Sequence, residues 1–173
     1  MAKKAAIPPK RTRDDILARH RQWLAQAERV AMRPIGQGGS PHPTVKVGAV
    51  LVDAKGREIA AAANRFAAGV DRRRPERYSS GSKSLWINCA EQMVLAAAVR
   101  QGASLRGARL YVTLEPCAVC AGIVAEIGIR EVFVPVGSLR RYARLKAKWK
   151  ASIEIGIIKL AEAGVKLTAI DTV

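Results

Sequence analysis

Residues 110–120 read Leu110-Tyr111-Val112-Thr113-Leu114-Glu115-Pro116-Cys117-Ala118-Val119-Cys120. Leu110 to Leu114 has the aromatic, β-branched and leucine content of a buried strand. Cys117 opens a helix that runs to Gly128, and Val132 to Val136 reads as the next strand. The unit then repeats. A basic segment from Arg140 to Lys150 leads into a helix ending near Gly164, and Val165 to Ile170 is a last strand. Successive β-α-β units favour parallel strands with helices covering the sheet, an α/β architecture.

Upstream, Ile16, Leu17, Trp23, Leu24, Ala27 and Val30 recur at helical spacing from Asp14 or Asp15 to about Arg33, and Pro34 stops the helix. Gly36 to Pro43 is a loop. Val45 to Val52 reads as a buried strand, followed by an Asp53–Gly56 turn and an antiparallel strand from Glu58 to Asn64. Arg65 to Ser84 is a long polar stretch, expected to be functional or disordered. A helix from about Cys89 to Gln101 completes the order α-β-β-α-β-α-β-α-β.

The chain has 173 residues, 49% of them hydrophobic, which suits one domain with a core of ordinary size. Residues 1–13 read as a flexible basic tail, because Pro8-Pro9 and their cationic neighbours resist burial, and residues 14–173 as a single domain. No apolar run approaches the length of a membrane span. The first residues lack the apolar core of a secretory signal. Cysteines at metal-ligand spacing argue for a reducing compartment, so a cytoplasmic location is expected. Thirty Lys and Arg against fourteen Asp and Glu leave a net charge of +16. That balance suits a nucleotide or a nucleic acid without choosing between them, and a chain that is simply basic throughout carries it equally.

The three cysteines fall in two blocks, Asn88-Cys89-Ala90-Glu91 and Pro116-Cys117-Ala118-Val119-Cys120. Both blocks open helices, whose free N–H groups favour thiolates. Cys117 and Cys120 sit on adjacent turns and can face one ion. Three thiolates can hold Zn2+ and leave the fourth tetrahedral position to water, the arrangement of a catalytic site. There the water ionises more readily and becomes a hydroxide nucleophile. Glu91, two positions after a ligand, can reach that water without ligating the metal and can shuttle its proton. Three thiolates give the cluster a formal negative charge, which cations or N–H donors to sulfur are expected to offset. The histidines are His20 and His42, and neither lies near a motif in the sequence. A structural zinc with an unrecognised fourth ligand, or plain buried thiols, is the alternative use of the cysteines.

Cys-x-Glu followed by Pro-Cys-x-x-Cys resembles the zinc deaminase signature in its three-cysteine form. At these residues the chain resembles the cytidine and deoxycytidylate deaminase superfamily. The resemblance runs from about Trp23 to Ile170 and is strongest in Val45 to Val50, Asn64 to Val70, Cys89-Ala90-Glu91 and Leu110 to Val136. It implies a three-layer α-β-α fold around a five-stranded mixed sheet with the last strands parallel. It implies Zn2+ on Cys89, Cys117 and Cys120, with Glu91 as proton shuttle and ammonia as leaving group. It further implies a nucleotide or nucleobase substrate, substrate contacts from Asn64, Lys46, Ala90 and Glu115, and assembly into a homo-oligomer. Asn64 to Val70 is similar to the Asn-Gly-x-Pro-x-Gly-Val loop of the deoxycytidylate branch, whose Asn contacts the substrate sugar. Arg74 to Tyr78, ahead of Lys83 to Trp86, resembles that branch's insertion. Cys89 departs from it, since the branch has His there and the three-cysteine set is typical of free-cytidine deaminases. Thr113 to Cys117 is more similar to the tRNA adenosine and guanine deaminases.

Deamination of a cytosine-type nucleotide, dCMP to dUMP, is the leading expectation, with Lys46, Arg65 and the arginines of 72–77 as phosphate candidates. A solvated basic face explains the same arginines. Deamination of another base, whether guanine, free cytidine or adenosine in tRNA, is the alternative, and editing of a polynucleotide such as tRNA is the second reading. In Arg140 to Lys150, cations interleave with Tyr142 and Trp149, a pattern that can pair with phosphates and stack on bases, or form a helix start with snorkelling lysines. A zinc-stabilised binding module without activity is the third, and Glu91 argues against it.

Overall fold

Thr12, not Asp14, caps the first helix. The Thr12 hydroxyl accepts the Asp15 N–H at 3.1 Å, and the Asp15 carboxylate takes the Thr12 N–H at 2.9 Å. Helix α1 therefore spans Arg13–Met32 and begins inside the stretch expected as a tail. The computed structural model describes residues 12–79, 82–142 and 145–172. Residues 1–11 of the expected tail lie outside the described residues, as do Ser80 and Gly81 of the polar stretch and Ala143 and Arg144 of the basic segment.

After α1 come β1 (Gly48–Val52), β2 (Glu58–Ala63), β3 (Arg65–Phe66), α2 (Lys83–Trp86), β4 (Ile87–Asn88) and α3 (Ala90–Arg100). The second half adds β5 (Arg109–Val112), α4 (Ala118–Ile127), β6 (Glu131–Pro135), α5 (Ser138–Arg141), α6 (Ala147–Glu162) and β7 (Lys166–Ile170). The main sheet has five strands in the order β2-β1-β5-β6-β7. β1 is antiparallel to β2 and β5, whereas β5, β6 and β7 run parallel, as the intervening helices lead one to expect. Side chains alternate across the sheet. Val50, Val52, Tyr111 and Phe133 pack on Leu24 and Ala27 of α1. On the other face, Leu51, Leu110 and Val132 meet Val94 of α3, Val124 of α4 and Leu160 of α6. These are the three layers.

Two stretches differ from the expected elements. Val45 to Val47 precede β1 instead of belonging to it, because Asn64 binds their backbone with its side chain. Its amide oxygen accepts the Val47 N–H and its amide N–H reaches the Val45 carbonyl, both at 2.9 Å. The polar stretch from Arg65 folds on itself. β3 pairs with β4 antiparallel, Arg65 opposite Asn88. The Tyr78 ring meets Phe66 edge-on at 5.4 Å, and Arg77 lies 4.1 Å over the Trp86 ring. No helix of the described residues is long and apolar enough to cross a membrane.

Candidate active site

Both cysteine blocks arrive at helix starts, as their spacing predicts: Cys89 caps α3 and Cys117 caps α4. The ligand atoms of Cys89, Cys117 and Cys120 all lie within 4.8 Å of one another. Zn–S bonds of about 2.3 Å would put tetrahedral sulfurs about 3.8 Å apart, so this donor set fits zinc. The thiols also polarise one another. S–H groups of Cys120 and Cys89 aimed at Cys117 hold its pKa far below the ordinary thiol value. Cys89 and Cys120, as the donors, are pushed up. The N–H groups of Cys120 and Val119 favour the Cys117 thiolate as well, without a formed capping hydrogen bond. No lysine or arginine figures among the groups that shift the three thiols. Helix N–H groups thus supply part of the compensation for thiolate charge at Cys117.

Glu91, one position into α3, is 4% exposed. Burial pushes its carboxyl up to about 8, and the neighbouring Cys117 adds to the rise. Glu91 lines one cavity together with Cys89 and Cys117. Helix α6 clamps the second block from outside. Ser152 Oγ accepts the Ala118 N–H at 3.2 Å, and Lys159 Nζ donates to the Ala118 carbonyl at 3.2 Å. A Cβ on Gly156 would overlap the Pro116 carbonyl oxygen and press on the Cys117 carbonyl.

Of the residues expected to meet substrate, Asn64, Ala90 and Glu115 line this cavity. Glu115 is held by Ser138, whose hydroxyl donates to its carboxylate at 2.5 Å. Lys46 is not among the lining residues, whereas Val45 and Val47 are. The Lys46 carbonyl takes the Tyr142 hydroxyl at 2.7 Å. The arginines also gather elsewhere. Arg65, Arg72 and Arg73 line a second cavity beside the loop that follows α1. Arg74 pairs with Asp71 and Glu76.

Residues outside the cysteine motifs also line the first cavity, among them His42, Lys83, Lys146, Lys148 and Trp149. His42, remote from the motifs in sequence, is thus brought to them. The signal that could have found it is its position two and three residues before the Thr44 and Val45 N–H groups, which its Nδ1 accepts at 3.2 and 2.8 Å. Tyr142 turns inward toward Lys46, while Trp149 faces the cavity, so the two aromatics of the basic segment do not form one stacking surface. His20 sits on the opposite face of the sheet, stacked on Phe133 at 4.2 Å with Nδ1 3.0 Å from the Tyr111 hydroxyl.

A family model described as the cytidine and deoxycytidylate deaminase zinc-binding region matches residues 19–136, more than half of the chain. No curated protein sequence matches it. Among solved structures, the dCMP deaminase of cyanophage S-TIM5 in apo form aligns with a TM-score of 0.63 at 20% identity, covering 90% of this chain and 98% of its own. Its complex with dCMP and dUMP gives 0.62 at 18% identity, covering 92% and 98%. A diaminohydroxyphosphoribosylaminopyrimidine deaminase/5-amino-6-(5-phosphoribosylamino)uracil reductase of Thermotoga maritima gives 0.56 at 25% identity, covering 91% of this chain and 37% of its own. The phage structures share the fold, and the family match covers both cysteine blocks. The chain belongs to the cytidine and deoxycytidylate deaminase family and is a zinc-dependent deaminase.

Proposed function

We propose that the protein hydrolytically deaminates a cytosine-type nucleotide, with dCMP to dUMP as the specific reaction. One observation carries the reading: a single cavity joins Cys89, Cys117 and Glu91 to Lys83, Lys146 and Lys148. Reactive groups and phosphate-matching charge therefore share one ligand space. Water adds to the ring carbon, the exocyclic amine leaves as ammonia, and a carbonyl replaces it. Cys89, Cys117 and Cys120 would hold a zinc ion that, when bound, would polarise that water and lower its pKa toward neutrality. Glu91 moves the protons, one from the water to the ring nitrogen and the second from the added hydroxyl to the amine, which leaves as ammonia as the carbonyl forms. The Ala90 N–H, at the first position of α3, has no intrahelical acceptor and suits an oxygen on the base. Asn64 spends one amide N–H on Val45 and keeps the other for the sugar.

By their names, the similar enzymes act on dCMP and on a phosphoribosylated aminopyrimidine, both phosphate-bearing. The second compound class is therefore the first alternative substrate. The test is ammonia release by zinc-loaded protein from dCMP, CMP, cytidine, guanine, a phosphoribosylated aminopyrimidine and tRNA at low salt. Turnover of dCMP that disappears in Glu91→Ala is the expected result. Silence with every monomer, with inosine appearing in tRNA, would sink the proposal.

A further inference from the structure

The backbone just before β1 is held by side chains. His42 Nδ1 accepts the Val45 N–H at 2.8 Å, and Asn64 Nδ2 donates to the Val45 carbonyl at 2.9 Å. Val45 is thus gripped at both of its polar groups by two residues that line the cavity. The neighbouring Lys46 carbonyl is held by the Tyr142 hydroxyl at 2.7 Å. This rim has little freedom to move.

The grip also decides what His42 offers a ligand. Nδ1 accepts two N–H groups, so it cannot carry a proton without opposing them, and the neutral ring carries its hydrogen on Nε2. Burial, and then the charge of Lys83, hold the imidazole pKa down at about 4, which keeps the ring neutral. Lys83, the first residue of α2, lines the same cavity. A fixed N–H donor and an ammonium lining one cavity suit an anionic oxygen, because charge-assisted hydrogen bonds to an anion are stronger than those to a neutral carbonyl or hydroxyl.

We propose that His42 Nε2–H and the Lys83 ammonium form the subsite for the substrate's phosphate, and that these two residues discriminate a nucleotide from a nucleoside. The proposal rests on the cavity being a nucleotide site. It replaces the phosphate candidates that the sequence favours, Lys46 and the arginines of 65–77.

A base-free probe separates this subsite from the identity of the base. In zinc-loaded protein, titration with deoxyribose 5-phosphate shifts the His42 Nε2 resonance saturably, and deoxyribose does not. In Lys83→Met the apparent affinity for the sugar phosphate falls about tenfold or more. No shift, or the same shift with the unphosphorylated sugar, overturns the subsite even if dCMP is deaminated. A substitution pair reads the same role in turnover. Asp and Asn at position 42 both can accept the Thr44 and Val45 N–H groups, but only Asn keeps a donor. His42→Asp raises the KM for dCMP at least about tenfold above that of His42→Asn. Equal KM values in the two variants overturn the proposal. Failure of every cytosine substrate would instead remove the proposed reaction, while the sugar phosphate titration still reads the subsite.

Discussion

Glu91 is a carboxyl almost sealed from solvent, beside three sulfurs, with no lysine or arginine among the groups that shift it. Such a group is retained for proton transfer more readily than for packing. Glu91→Gln keeps the shape and removes the transferable proton. Ammonia release is expected to fall about 10²–10⁴-fold with zinc content unchanged by elemental analysis; loss of the metal as well would assign Glu91 a structural role. His42 supplies a pH signature. Its folded pKa lies at about 4, below the ordinary 6.5, so the fold favours the neutral ring. A depressed histidine contributes stability that is present above the unfolded value and is lost as pH falls through the folded one. Its imidazole carbon-bound proton resonances should therefore stay put on acidification from neutral pH and move only near 4. A midpoint near the ordinary value would contradict the two backbone hydrogen bonds to Nδ1.

Helix α6 determines where the second cysteine block sits. Gly156 allows α6 to touch the backbone of Pro116 and Cys117, and Ser152 satisfies the Ala118 N–H. Alanine is the better helix former by about 1 kcal/mol, so propensity alone would make Gly156→Ala stabilising. The contact reverses the sign, because the added methyl meets backbone carbonyl groups that cannot change rotamer. We expect a loss of about 1–3 kcal/mol in thermal or denaturant unfolding, with weaker zinc retention against a chelator. A rise in melting temperature with unchanged zinc affinity would show that α6 does not set the cysteine geometry. Ser152→Ala should act in the same direction by about 1 kcal/mol, the value of one hydrogen bond.

Across the whole molecule, the three cysteines bring together the start of α3 and the start of α4, which follow β4 and β5 respectively, so a bound zinc would tie them. A metal bound only by the folded state adds about 4 kcal/mol at a free concentration a thousandfold above Kd. Chelation should therefore lower the melting temperature and make it depend on free zinc. A midpoint indifferent to chelator would mean that the three thiols hold no metal. The net charge of +16 acts over a longer range than any single contact. If the substrate is anionic, its KM should rise several-fold from low to physiological salt, while that of an uncharged nucleoside stays nearly flat.

The order of strands and helices, the parallel final strands and the cysteine positions at two helix starts were legible because each depends on a few consecutive residues. Leu110 to Leu114 has the residue types of a buried strand, and Cys117 and Cys120 share a helix face, whatever lies elsewhere in the chain. The departures arise where a distant side chain competes with local preference. Val45 to Val47 precede the strand, where the Asn64 side chain takes the Val47 N–H and the Val45 carbonyl, and Lys46 is not among the residues lining the cavity. His42, Lys83 and Trp149 come from three separate segments, and no spacing rule links them. The sequence by itself determined that three cysteines and a glutamate stand at the starts of two helices, since each position depends only on a short run of neighbouring residues. Only the tertiary structure decided which cations and donors share a cavity with Cys89, Glu91 and Cys117, because a cavity wall is assembled by packing between segments remote in the chain.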